Sequence, residues 1–125
     1  MLKRKRMQKI KKYAKDFCDR VTNDYPKIIK NYPLIELLTY KDILLNGKYL
    51  VDGYFDHGTN HVVIANIYNP RVKELKQIIR HECLHFLLYN SGLPSKDDDI
   101  LFTLLAEKYD ADPLVTIEEL KRRCK

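Results

Sequence analysis

No apolar run in this sequence approaches the roughly 18 residues needed to span a bilayer, so a membrane protein is not expected. The charged start is not followed by an apolar stretch of signal-peptide length, so no secretory leader is expected either. Cysteine is scarce: Cys18, Cys83 and Cys124 are odd in number and far apart. That excludes a disulfide framework and a C-x-x-C zinc pair, and it points to a reducing, cytoplasmic setting. Internal repeats, low-complexity segments and linkers are also missing. What remains is 125 residues, 45% hydrophobic and 32% charged, the profile of one soluble globular domain.

Charge is unevenly placed. The net charge is +6. Lys3, Arg4, Lys5, Arg6, Lys9, Lys11, Lys12 and Lys15 crowd one end, and Lys121, Arg122, Arg123 and Lys125 the other. Such ends fit either nucleic-acid association or solvated helix faces. The basic segment 1–25 reads as a helix, because Ile10, Ala14, Phe17 and Val21 form one apolar stripe. Pro26 and Pro33 punctuate the next stretch, with short helical pieces expected between and after them. Ile28, Ile29, Leu34, Ile35, Leu37 and Leu38 are its core candidates.

The texture then turns to strands. Asn46-Gly47 marks a hairpin turn, with strand material at Lys48–Val51 and Gly53–Phe55. His57–Asn60 reads as a second turn, and the β-branched stretch His61–Ile67 as a strand. A small, mostly antiparallel sheet follows from these pieces. Asn69-Pro70 then signals a helix running to about Asn90, stopped near Ser91-Gly92 and Pro94. A further helix is expected over Asp98–Asp110, carried by Ile100, Leu101, Leu104, Leu105 and Tyr109 and capped by Asp97 or a neighbour. Pro113 ends it, and a short basic helix closes the chain. The fold class is α+β.

His81-Glu82-Cys83-Leu84-His85 lies inside the long helix. Two histidines four residues apart project from one helix face, since a turn takes about 3.6 residues. They can share a zinc ion, while Glu82 lies within reach of a water as general base. With four histidines and six glutamates in the chain, chance gives this pattern in roughly one chain in 170. Ile78, Ile79, Cys83, Leu84, Phe86, Leu87 and Leu88 make the helix apolar on nearly all sides, hence buried. Polar side chains there need partners, and a metal ion would satisfy them. The plain alternative is that the histidines hydrogen-bond backbone or carboxylates.

A catalytic zinc site takes three protein ligands and a water. No histidine follows His85, so a downstream third ligand must be a carboxylate: Asp97, Asp98, Asp99, Glu107 or Asp110. Glu107 shares a helix face with Ile100 and Leu104 and could point inward. Asp97–Asp99 could equally be charges favouring a helix N-terminus. His57 and His61 flank a turn and suit a loop rim better than a second metal site. Cys83 reads as core. Tyr54, Tyr89 and Tyr109 are candidates for stabilising an oxyanion.

The stretch His81–Phe102, HECLHFLLYNSGLPSKDDDILF, resembles the SprT-like family of zinc metallopeptidases. Its pattern of H-E-x-x-H, six residues, Gly, four residues, His and an acidic stretch ending in Phe lies over it without a gap. His81, Glu82, His85, Gly92 and Phe102 match, and Asp97 stands where the family has its third histidine. The resemblance covers about Asn46 to Asp110. It implies a minimal zincin-like domain that binds Zn2+ through His81, His85 and Asp97, with Glu82 as base and a protein or peptide as substrate. Glu107 remains the alternative third ligand, at a spacing similar to thermolysin-like enzymes. The resemblance to zinc peptidases also implies that His61–Ile67 is a sheet edge on which substrate pairs.

Overall fold

A computed structural model describes residues 2–38, 53–65 and 72–111. Among these residues the chain forms α1 (Leu2–Asp24), β1 (Leu34–Leu38), β2 (Gly53–Asp56), β3 (His61–Ala65), α2 (Val72–Asn90) and α3 (Ile100–Lys108). This is a small α+β arrangement. The expected Asn46-Gly47 turn, the Lys48–Val51 strand, the Asn69-Pro70 helix start and the closing basic helix lie outside the described residues.

The stripe Ile10, Ala14, Phe17 and Val21 is buried, so α1 packs on the domain. After Pro26 and Pro33 the structure departs from the expected helical pieces: Leu34–Leu38 is a strand. Leu37 is buried and Ile35 half-buried, while Leu34 is 68% exposed and Glu36 faces out. That is a period of two, which five residues following a proline satisfy as readily as a helical period. Of the other core candidates, Ile28 is buried and Ile29 exposed.

The sheet is mixed, with order β1-β3-β2: β1 runs parallel to β3, and β2 antiparallel to it. Among the described residues one pair is antiparallel, as the sequence suggests, and one is parallel, because Leu34–Leu38 pairs as a strand where helical pieces are expected. The central position of β3 explains its uninterrupted run of buried residues, Val62 to Ala65. It also corrects the edge role: His61–Ala65 is paired on both sides, so no substrate strand can join it. The turn at His57–Asn60 forms as expected, with Asp56 Oδ1 accepting from the Gly58 N–H at 3.0 Å.

α2 is the hub and touches α1, β2, β3 and α3. Ile78, Ile79, Cys83, Leu84, Phe86, Leu87 and Leu88 are all buried in it. α3 turns inward the face made by Phe102, Leu105, Ala106 and Tyr109. Ile100 and Leu104, expected in the core, are 78% and 60% exposed. None of these helices is long and apolar enough to cross a membrane.

Candidate metal centre

His81 and His85 sit one turn apart on α2 with their rings 4.8 Å apart at 80°. The Nε2 atoms are 3.2 Å from each other. Asp97, on the loop between α2 and α3, brings Oδ1 to 3.1 Å from His81 Nε2 and 2.9 Å from His85 Nε2. Three donor atoms from these residues therefore meet at one point. The histidines are mostly covered, whereas Asp97 is 76% exposed, so the point opens towards solvent on the carboxylate side.

The far nitrogens decide the chemistry. His81 Nδ1 donates to the Ala111 carbonyl at 2.9 Å, and His85 Nδ1 to the Ser95 carbonyl at 2.5 Å. A carbonyl can only accept, so the single N–H of each neutral imidazole is at Nδ1. Each Nε2 then presents a lone pair. Burial holds His85 below the ordinary imidazole range, against the opposing pull of the Ser95 carbonyl and Asp97, which favours the neutral ring. Two lone pairs and a carboxylate oxygen within 3.2 Å of one another repel unless a proton or a metal ion lies between them.

Zinc suits the donor set. At typical ligand distances of about 2.0–2.1 Å, neighbouring donors of a tetrahedron lie roughly 3.3 Å apart. The spacings of 2.9, 3.1 and 3.2 Å are close to that. Carbonyl partners on Nδ1 are the usual outer support of a metal-binding imidazole.

Two packing features fix the rings. Phe102, buried on α3, stacks on His85 at 4.0 Å and 15°, and meets His81 edge-on at 5.0 Å. Glu82 is buried between the motif helix and β2. A methyl group at Gly53 would come within 3.4 Å of Glu82 Cγ and 2.9 Å of the Val63 carbonyl. Glycine there lets β2 lie directly against the proposed base.

The remaining candidates lie elsewhere. Glu107 does share a face with Ile100 and Leu104, but that face points to solvent, so it does not join the donor group. Asp98 is exposed outside the group. Asp99 is the N-cap residue of α3; its side chain makes no cap bond and instead accepts from the Lys96 N–H at 2.8 Å. His57 packs on Tyr89, and His61 lies 3.8 Å from Glu36, so the two do not form a metal group. Cys83 is buried, its thiol pushed up by a hydrogen bond with Cys18 and by burial, as suits a core residue. Tyr109 is turned to α1, where its hydroxyl donates to Asp24; burial, then that bond, raises it. Tyr89 packs on Phe55 and His57, and Tyr54 is half-buried in β2.

Sequence reasoning missed the carbonyls of Ser95 and Ala111, because a backbone acceptor carries no residue signature. It placed Phe102 only by family resemblance, without a role. Comparison of the chain with family models, with curated proteins and with solved structures finds no match.

Proposed function

We propose that this protein is a zinc-dependent hydrolase of peptide bonds, with His81, His85 and Asp97 as ligands and Glu82 as general base. The observation that carries the reading is the convergence of three proton-accepting atoms on one point, with both imidazoles turned by backbone carbonyls to offer Nε2. The peptidase assignment rests on the resemblance of His81–Phe102 to the SprT-like family. Bound zinc supplies a Lewis acid that acidifies water and polarises a carbonyl. The Glu82 carboxylate takes the proton of the attacking water and later delivers it to the leaving amine. Its burial against Gly53 favours a proton acceptor screened from bulk water. A reducing, cytoplasmic setting belongs to the same reading and rests on the scarce, odd-numbered cysteines of the sequence.

Element-resolved metal analysis tests the centre, because two histidines and one carboxylate also suit ferrous iron. About one zinc per chain is expected. Less than half, with no uptake of any metal on titration, refutes the metalloenzyme reading, whereas stoichiometric iron refutes its zinc assignment. Glu82→Gln should keep zinc and lose turnover of a casein or peptide substrate by at least about 100-fold.

A second reading, a binding module for nucleic acid on the same fold, is favoured by one surface. A groove of about 140 Å³ between α1 and α2 is lined by Tyr13, Asp16, Phe17, Arg20, Lys76 and Arg80. Lys76 lies over the Tyr13 ring at 4.8 Å. A phosphate backbone held there would be released by salt, with a log–log slope near −3 for three cations engaged. Binding of a DNA oligomer that ignores salt, or is unchanged in Arg20→Ala and Lys76→Ala, removes this reading.

A further inference from the structure

We propose that Asp110 is a positioning residue for the metal centre: it clamps the turn after α3 to α2 and so fixes the carbonyl that orients His81. α3 ends in a Schellman turn, in which the Ala111 N–H donates to the Ala106 carbonyl at 2.8 Å and the Asp110 N–H to the Glu107 carbonyl at 3.3 Å. The turn needs a left-handed residue, and Asp110 takes that role with φ 55°. Glycine is the ordinary occupant of such a position. The aspartate brings a side chain that glycine lacks. Its Oδ1 accepts from Gln77 Nε2 at 2.7 Å, and its Oδ2 lies 3.7 Å from Arg80 Nη1. Arg80 also donates to the Asp110 backbone carbonyl at 3.3 Å.

Gln77 is buried on α2, one turn before His81. A buried amide needs a partner, so the contact is directional rather than casual. The clamp thus joins the helix that carries His81 to the residue immediately before Ala111. The Ala111 carbonyl is the acceptor that places the His81 proton on Nδ1 and leaves Nε2 open. His85 has a separate acceptor at Ser95 and serves as an internal reference.

The inference rests on the proposed metal centre for its purpose, but its test does not. Long-range 1H–15N spectra of the zinc-free protein report the tautomer of each imidazole. In the wild type both His81 and His85 are expected with the proton on Nδ1. In Asp110→Gly, which keeps a residue suited to the turn, His81 is expected to become a mixture of tautomers while His85 is unchanged. Zinc affinity by competition titration should fall about 10-fold. Asp110→Asn, whose amide oxygen still accepts from Gln77, should restore most of both. Gln77→Leu, which leaves the turn residue in place, should reproduce the glycine pattern. The proposal is overturned if His81 keeps its proton on Nδ1 in Asp110→Gly, or if His85 changes as much as His81. Absence of zinc uptake by the wild type would refute the metal reading alone, since the tautomers are still read without metal.

Discussion

The turns that end α2 and α3 are built alike and secured differently. Both are Schellman turns: Leu93 N–H donates to the Leu88 carbonyl after α2, and Ala111 N–H to the Ala106 carbonyl after α3. Each leads to a carbonyl that holds one imidazole, Ser95 for His85 and Ala111 for His81. The left-handed residue is Gly92 in the first, at φ 67°, and Asp110 in the second, at φ 55°. A Cβ at Gly92 would meet nothing within 4 Å, so conformation alone calls for glycine there. At Asp110 a side chain is present and tied to Gln77. The first turn aims a longer segment, Leu93 to Asp97, that delivers both a carbonyl and a ligand. The second delivers only a carbonyl, in the very next residue. A turn that must aim a distant ligand relies on backbone freedom at one point and a braced loop beyond it. A turn that places an adjacent group can be fastened by its own side chain.

The sharpest way to test the greater importance of the first segment is to remove what it delivers. Asp97→Ala should weaken zinc binding by more than about 100-fold, beyond the loss typical of an outer-shell partner. Glu107→Ala should leave affinity within about twofold, as for a surface residue. Competition titration with a chelating dye measures both. Equal losses in the two variants would mean that the donor group closes differently from the arrangement of His81, His85 and Asp97.

The second largest effect is expected from Gly92→Ala. A Cβ in the left-handed region costs about 1–2 kcal/mol, with no new contact to offset it. The strain falls at the base of the segment that places Ser95 and Asp97, so zinc affinity should fall by about 10–100-fold, as when an outer support is lost. Urea unfolding and the same titration report the two losses separately. A variant that unfolds as the wild type does would show that the turn is free to take another conformation.

The sequence makes one half of this comparison readable and hides the other. Ser91-Gly92 announces a helix stop because glycine at such a point has few other uses. His81, Glu82 and His85 are legible because a spacing of four on a helix fixes their common face without any knowledge of the tertiary fold. Asp110 is silent for the opposite reason: an aspartate near a helix end is ordinary, and only its bond to Gln77 gives it meaning. Direction is hidden in the same way. Glu107, Ile100 and Leu104 share one face by helical spacing alone, but which face of α3 meets the core depends on α2 and not on α3's own pattern. The strand at Leu34–Leu38 and the central place of β3 both depend on a parallel pairing between segments far apart in the chain, which local periodicity does not encode.

The smallest expected effect separates the two turns most cleanly, because here stability and metal affinity should part company. Asp110→Gly removes left-handed strain, a relief of up to about 1–2 kcal/mol and less for aspartate than for other residues. It also adds chain entropy to the unfolded state, which offsets roughly 0.5–1 kcal/mol of that gain. Loss of the Gln77 and Arg80 contacts costs about 1 kcal/mol, the ordinary net worth of a hydrogen bond in a partly buried contact. These terms nearly cancel, so urea unfolding should place the variant within about 1 kcal/mol of the wild type. Gly92→Ala should therefore lose both stability and zinc affinity, whereas Asp110→Gly should lose affinity at nearly constant stability. A loss of about 3 kcal/mol or more in Asp110→Gly would make the aspartate a structural fastening of α3, with any weakening of zinc binding a consequence of loosened packing.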